Sequence, residues 1–190
     1  QDKYLADFFL VPWGEAILLD VKTDLAAMLA QRLAMYKLRA KVTITPLDLA
    51  VSRGLGPAPA GAFADPRHPD LGWRHYGEIA LDPVEIDWDA LRIGACVPET
   101  GVELNSETYI LEAGFERLHG VDFRKGCYVG QEISARMKHK TELRKGLAVV
   151  EVAGSAPVGT EITANGKAAG MLYTQANGRA IAYLRFDRAS

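Results

Sequence analysis

Two Asn-Gly dipeptides near the C-terminus constrain the fold more than any other feature of this sequence. Asn165-Gly166 follows the segment 161–164, and Asn177-Gly178 follows the segment 171–174. Asn and Gly both accept the positive φ angles of the type I′ turn that joins adjacent antiparallel strands. A further segment rich in β-branched residues, 147–152, precedes them. The C-terminal part of the chain is therefore predicted to form short strands joined by hairpins, as in a small β-barrel or sandwich.

Hydrophobic patterning before residue 52 predicts strands and one helix. Residues 4–11 are mostly apolar and predict a buried strand, and residues 15–21 predict its hairpin partner across a turn at residues 12–14. Apolar residues at helical spacing then predict an amphipathic helix that begins at Thr23-Asp24. Residues 41–45 predict a short strand that ends before a proline. This order of elements is typical of an α+β layer.

The middle of the chain is less regular. Glycines and prolines interrupt any helical or strand periodicity of apolar residues between residues 52 and 72, which predicts a long loop or linker. Residues 73–81 predict a strand and residues 87–93 a short helix. Residues 106–118 predict a second clear helix, in which Gly114 indicates close packing.

Composition excludes several classes of function. The 190 residues carry 22 Lys and Arg against 24 Asp and Glu, a net charge of −2 that excludes a polybasic nucleic-acid binder. The most apolar stretch, residues 8–19, is interrupted and falls short of the roughly 20 residues of a membrane span, so no membrane partner is expected. Two cysteines cannot make a disulfide framework or a four-cysteine metal site, and the four histidines show no metal-ligand spacing. We expect a reducing compartment, the cytoplasm, with the mitochondrial matrix as the alternative. The chain has no initiator Met, and we expect it to begin inside a longer protein.

The segment 123–132 is the most unusual in composition. Gly126 and Gly130 bracket Cys127, and Lys125 precedes it by two positions. In one interpretation Cys127 is a small core residue in a strand-to-helix turn. In the other it is a reactive thiol whose pKa the positive charge of Lys125 lowers.

The residues 125–132 (Lys-Gly-Cys-Tyr-Val-Gly-Gln-Glu) resemble the signature of the YgfZ-type folate-binding proteins. These act in iron–sulfur cluster assembly and repair, and they are related to the T-protein (aminomethyltransferase) of the glycine cleavage system. The resemblance extends to residues 111–114 and 121–123, and Ala135-Arg136 with Arg144-Lys145 look like the mitochondrial assembly members.

The resemblance implies an α+β fold in which T-protein-like folate-binding α/β subdomains precede a small C-terminal β-barrel. Residues 1–52 then form part of a first folate-binding subdomain whose N-terminus is missing. Residues 53–140 form a second α+β subdomain with the linker and the Cys signature. Residues 141–190 form the barrel.

The resemblance also implies a site that binds tetrahydrofolate or another folate. Glu112 lies where the T-protein family has an acid that binds the pterin ring, and a carboxylate suits the adjacent N–H donors of the pterin edge. The alternative is a solvent-facing helix glutamate. Cys127 is the candidate catalytic residue, and the candidate folate-binding residues are Asp7, Glu112, Lys125, Gly126, Tyr128, Gly130, Gln131, Glu132 and Arg136.

Asp7 is the remaining acid of a pair. In true aminomethyltransferases the strand that residues 3–7 resemble carries two adjacent acids near the reacting carbon, and here the first of them is Ala6. This departure puts aminomethyl transfer in doubt and leaves open whether the protein is an enzyme. Asp7 is alternatively a strand-edge acid with no role.

Positive charge is concentrated between residues 124 and 145, with seven basic residues against two acids. The segment is either a solvated face or an anion site for the glutamate tail of folate or for a protein or RNA partner. The lack of interleaved aromatics argues against nucleic acid.

Three hypotheses follow. The first is a tetrahydrofolate-binding accessory protein for iron–sulfur cluster assembly or repair, with iron–sulfur proteins or assembly factors as partners. The alternative is a folate-dependent aminomethyl- or methyltransferase. The third is a folate-binding scaffold with a structural Cys127.

Overall fold

A computed structural model of the chain describes residues 3–127 and 143–189, together with residues 132, 135 and 138. The first elements are an antiparallel hairpin of β1 (Phe8–Trp13) and β2 (Ala16–Val21), in which Trp13 is opposite Ala16. The predicted hairpin is confirmed, but its turn lies at residues 14–15 and not at 12–14. Pro12 is tolerated inside β1 because the two-stranded sheet has only edge strands. Helix α1 (Thr23–Tyr36) follows, as predicted.

The strand predicted at residues 41–45 does not form. The N–H of Val42 donates to the carbonyl of Ala40, and the Nζ of Lys37 donates to the carbonyl of Val42 at 2.7 Å. Local bonds therefore satisfy part of this backbone without a neighbouring strand.

A three-stranded antiparallel sheet of order β3-β5-β4 occupies the middle of the chain, with β3 at Ala50–Gly54, β4 at Phe63–Ala64 and β5 at Trp73–Gly77. The prediction of a loop over 52–72 is wrong at both β3 and β4, and the predicted strand 73–81 is confirmed over a shorter range. Position 54 lies in a strand and still requires glycine, because the Trp73 ring covers it so closely that a Cβ atom would lie 2.2 Å from the ring.

Helix α2 (Trp88–Gly94) confirms the helix predicted at 87–93. Its N-cap is Asp87, whose Oδ1 accepts a hydrogen bond from the N–H of Ala90 at 2.9 Å. Beyond the C-cap Ala95, Cys96 has φ +50°, and the N–H of Val97 donates to the carbonyl of Arg92 at 2.8 Å. This is a Schellman ending with a cysteine in the left-handed position.

The long helix predicted at residues 106–118 is wrong. Gly114 adopts φ +78°, and the N–H of Phe115 donates to the carbonyl of Ile110 at 3.0 Å, which closes a first turn. A second turn closes at His119, where φ is +62° and the N–H of Gly120 donates to the carbonyl of Phe115. Position 114 therefore requires glycine because of its left-handed backbone conformation, and not because of the close packing that the sequence predicted.

The C-terminal part is an antiparallel sheet of order β6-β9-β8-β7, and both Asn-Gly turns are confirmed by positive φ angles at Asn165 and Asn177. Among the described residues, the outer strands β6 and β7 do not pair with each other, so the sheet is open there. The strands are β6 (Lys145–Glu151), β7 (Glu161–Ala164), β8 (Lys167–Ala176) and β9 (Arg179–Arg185).

Among the residues that the structure describes, three small hydrophobic clusters hold these elements together. One contains Tyr4, Leu104 and Ala113, and Leu147 of β6 packs against it. The C-terminal sheet is therefore joined to segments from the N-terminal and middle parts of the chain. The division at residues 52 and 140 stays a prediction. None of the helices in the described ranges is long and apolar enough to cross a membrane.

Candidate functional site

Asp7 sits in a small polar network just before β1. The hydroxyls of Tyr4 and Thr100 both lie 2.6 Å from its Oδ1, and they lie 2.6 Å from each other. The Tyr4 side chain is buried, and burial together with the hydrogen bond to Asp7 raises its pKa to about 12. The carboxylate is therefore fixed by two hydroxyls, which argues against an idle acid at a strand edge.

Glu112 lies in the turn that ends at Gly114 and faces the C-terminal sheet. The hydroxyl of Tyr183, on β9, donates to its Oε2 at 2.5 Å, and the N–H of Leu147 donates to its main-chain carbonyl at 2.9 Å. Burial, followed by the hydrogen bond to Glu112, raises the pKa of Tyr183. Glu112 is half-buried, so it is not the solvent-facing helix residue of the alternative interpretation.

Asp7 and Glu112 lie on neighbouring segments, but their carboxylate groups have separate hydrogen-bond partners. The N–H of Tyr4 donates to the carbonyl of Thr108 at 2.8 Å, and the Tyr4 and Phe115 rings meet edge to face at 6.1 Å. The segment that carries Asp7 therefore runs beside the turn that carries Glu112. No hydrogen bond joins these two carboxylate groups through a common described residue.

A buried ion pair, which sequence reasoning missed, fixes the loop between α2 and Asn105. The Nη1 of Arg92 lies 2.9 Å from Oε2 of Glu103, whose side chain is completely buried. Thr174, on β8, donates its hydroxyl to Oε1 of Glu103 at 2.6 Å and also accepts a hydrogen bond from Arg92. The pair thus connects α2, this loop and the C-terminal sheet.

The signature residues that the structure describes lie at the surface. Lys125, Gly126 and Cys127 are exposed, so Cys127 is not a small core residue. Gly126 adopts φ +93°, and a Cβ atom added there would have no neighbour within 4 Å, so glycine is required by the backbone angle and not by close packing. The other cysteine, Cys96, is half-buried, and burial raises its pKa.

Several predicted site residues remain untested by geometry. Glu132 is exposed, and its predicted role in folate binding stays a prediction. Lys138 forms an ion pair with Glu116 and lies 4.3 Å from the centre of the Phe123 ring, so this part of the basic segment contacts the turn after Glu112. Four candidates, Tyr128, Gly130, Gln131 and Arg136, lie outside the described residues.

Sequence comparison supports the predicted C-terminal domain. The family described as "CAF17, C-terminal beta-barrel domain" matches residues 144–190. The match supports a C-terminal β-barrel domain, and the structure contains its strands and hairpins in an open sheet. The predicted bound at residue 141 stays a prediction.

Relatives match over a much longer range. The chain is 32% identical over 189 residues to the mitochondrial iron–sulfur cluster assembly factor IBA57 homologue of Neurospora crassa, which covers 82% of the chain and 42% of the relative. It is 32% identical over 184 residues to the mitochondrial iron–sulfur cluster assembly factor IBA57 of Homo sapiens, covering 80% of the chain and 52% of the relative. The homologue of Mycosarcoma maydis is 33% identical over 184 residues, 83% of the chain and 46% of the relative.

The chain thus spans about half the length of the relatives it matches. The family model covers the C-terminal sheet, and the names of the relatives agree with the resemblance seen in residues 125–132. The chain belongs to the IBA57/CAF17 family, which is of the YgfZ type.

Proposed function

We propose that this chain is part of a tetrahydrofolate-binding accessory protein for the assembly or repair of iron–sulfur clusters. The names of the relatives support the iron–sulfur half of the proposal. The geometry of Glu112 supports the folate half. Its cellular compartment stays a prediction, the cytoplasm or, as in the names of the relatives, the mitochondrion.

Glu112 has the chemistry that a pterin ring needs. Tyr183 holds Oε2, and no described residue donates a hydrogen bond to Oε1. A half-buried carboxylate with one oxygen available accepts strong charge-assisted hydrogen bonds from N–H donors. This oriented acceptor is the observation on which the folate proposal rests.

The surroundings of Glu112 also suit a flat aromatic ligand. The hydroxyl of Tyr183 binds the carboxylate directly, so the structure places an aromatic ring beside it. Aromatic side chains stack with flat rings and keep a polar edge for hydrogen bonds. Tetrahydrofolate is a one-carbon carrier and would supply that chemistry when bound, whereas Glu112 would bind and orient the ring.

Cys127 is proposed to contact the cluster or its protein partner. The thiol is exposed, whereas Cys96 is half-buried, so only one cysteine of the two is readily accessible. Because clusters are generally held by four ligands, one thiol cannot hold a cluster by itself. The cluster is therefore a substrate that Cys127 would share with ligands from a partner.

Calorimetric titration of the full-length protein with tetrahydrofolate tests the folate proposal. Removing a charged hydrogen-bond partner costs about 1.5–3 kcal/mol, so Glu112→Gln is expected to weaken binding roughly 10-fold or more. The control is Glu151→Gln, because Glu151 is an exposed acid on β6. Absence of binding by the unmodified protein, or equal affinity of the two variants, would contradict the proposal.

The role of Cys127 is tested in cells that depend on this protein. We expect Cys127→Ala to lower the activity of iron–sulfur enzymes without lowering the amount of the protein, because an exposed side chain contributes little to stability. Cys96→Ala is the matched control for loss of a thiol. Full enzyme activity with Cys127→Ala would instead support the scaffold hypothesis.

A further inference from the structure

Three arginines gather where the β1–β2 hairpin meets the middle sheet. Arg67 and Arg74 both stack on the ring of Phe9, with their guanidinium carbons 4.8 and 4.4 Å from its centre. Each of these two has a carboxylate partner. Arg67 binds both oxygens of Asp65, at 2.9 and 2.7 Å, and Nη2 of Arg74 lies 2.5 Å from Oδ2 of Asp20.

Arg53, the third arginine, has no such partner. It lies directly opposite Arg74 in the β3–β5 register, so the two side chains share one face of the sheet. None of its side-chain N–H groups donates to any described residue, and its Nε is both buried and without a hydrogen-bond partner. Burial and the charges of Arg74 and Arg67 lower the pKa of Arg53.

The local balance of charge leaves one positive group uncompensated. Asp20 and Asp65 pair with Arg74 and Arg67. Two acids act on Arg53, and both are already paired: Asp65 with Arg67, and Glu99 with Arg92 at 3.4 Å. Like charges on facing positions of a sheet and unpaired buried donors both destabilise a protein. A bound anion would remove both costs.

Trp88 holds the guanidinium group in an orientation suited to binding. The guanidinium carbon of Arg53 lies 3.8 Å from the centre of the Trp88 ring, at the start of α2. An arginine that stacks on an aromatic ring keeps its N–H groups at the edge, where they form a planar fork that matches carboxylate and phosphate oxygens. The Nη1 groups of Arg67 and Arg74 donate to no described residue, so both arginines can donate further hydrogen bonds to an anion.

We propose that Arg53 is the centre of a binding site for a compact oxyanion, either a carboxylate or a phosphate group. Trp88 orients the guanidinium group, and Arg67 and Arg74 supply additional positive charge. Arg53 is only partly buried, so an anion reaches it from solvent. None of the contacts that define this site involves Glu112, and the proposal does not depend on the proposed function.

The test titrates the full-length protein with inorganic phosphate and, separately, with glutarate, at constant ionic strength set with chloride. Constant ionic strength removes general screening as a cause of any change. Binding is followed by calorimetry and by tryptophan fluorescence, since Trp88 stacks on Arg53. We expect saturable binding of at least one anion, and the preferred probe distinguishes a phosphate site from a carboxylate site.

Two variants of Arg53 and one matched control decide whether Arg53 carries the binding. Arg53→Gln is expected to weaken it at least tenfold, and Arg53→Lys should weaken it too, because an ammonium group lacks the planar fork. Arg32→Gln should bind as the unmodified protein does, since Arg32 is an exposed arginine on α1 that also lies over an aromatic ring, at 5.4 Å from the centre of Tyr36.

Thermal unfolding separates loss of the site from loss of the fold. With no anion present, Arg53→Gln should unfold no earlier than the unmodified protein, because it removes repulsion from Arg74 and Arg67. With the preferred anion, the unmodified protein and Arg32→Gln should gain thermal stability and Arg53→Gln should not. Absence of saturable binding of either anion, or equal binding by Arg53→Gln and Arg32→Gln, would overturn the proposal. If Arg53→Gln does not fold, Trp88→Leu takes its place, and unchanged anion affinity in that variant would count against the proposal.

Discussion

Replacing Glu103 by alanine is predicted to be among the most destabilising substitutions of any acid in this chain. The Glu103 carboxylate accepts hydrogen bonds from the Nη1 of Arg92, the N–H of Glu99, and both the N–H and the hydroxyl of Thr174. Its side chain is completely buried and that of Arg92 is 10% exposed. The substitution therefore leaves a buried guanidinium group without its main partner.

Breaking a buried ion pair by removing one member costs about 3–5 kcal/mol. We expect Glu103→Ala to lower the free energy of unfolding by that amount. Glu99→Ala is the matched control, because Glu99 pairs with the same arginine at 3.4 Å but its side chain is 52% exposed. Exposed pairs contribute about 0–1 kcal/mol, so the control should lose little stability.

The assay is urea unfolding followed by circular dichroism, in which the shift of the midpoint at constant slope gives the change in stability. A double variant, Arg92→Met with Glu103→Leu, removes both charges and should lose less stability than the sum of the single losses. The reasoning is refuted if Glu103→Ala and Glu99→Ala differ by less than about 1 kcal/mol.

Three further predictions follow from single side chains. Because Gly114 has φ +78°, Gly114→Ala should cost about 1–2 kcal/mol in urea unfolding, and an unchanged midpoint would contradict the left-handed turn. Burial raises the pKa of Tyr4 from 10 to about 12, so the stability that its neutral hydroxyl contributes is present below pH 10 and is lost as the pH rises through 12. Tyr4→Phe should therefore lose less stability over this pH range in urea unfolding. An equally steep loss in the variant would contradict the raised pKa of Tyr4. A thiol reagent should modify the exposed Cys127 before the half-buried Cys96, because burial raises the pKa of Cys96. The reaction is followed by absorbance, and single Cys→Ser variants assign its two phases. Faster reaction at Cys96 would be inconsistent with the structure.

Local sequence chemistry predicted the parts of the fold that local forces decide. Asn165-Gly166 and Asn177-Gly178 marked the two hairpins because the φ angles of a tight turn depend on the residues in the turn itself. Asp87 marked the start of α2 because its side chain caps that helix directly. The prediction of a helix over residues 106–118 was wrong because the spacing of apolar residues does not show whether Gly114 continues a helix or ends it.

Features that depend on distant partners were not predictable. Thr174 meets Arg92 and Glu103 from positions far along the chain, and no spacing rule connects β8 with α2. Likewise, Glu112 was identified from the resemblance, but its partner Tyr183 comes from β9 and no sequence motif links them. Such contacts exist only once the C-terminal sheet packs against the earlier segments.

The central claim is that the Glu112 carboxylate binds the pterin ring of a folate, and a crystal structure of the full-length protein with tetrahydrofolate tests it most directly. The account predicts a pterin N–H donor about 2.7–2.9 Å from Oε1 of Glu112, while Tyr183 still donates to Oε2. A pterin ring bound elsewhere, with Glu112 in contact with Tyr183 only, would contradict it.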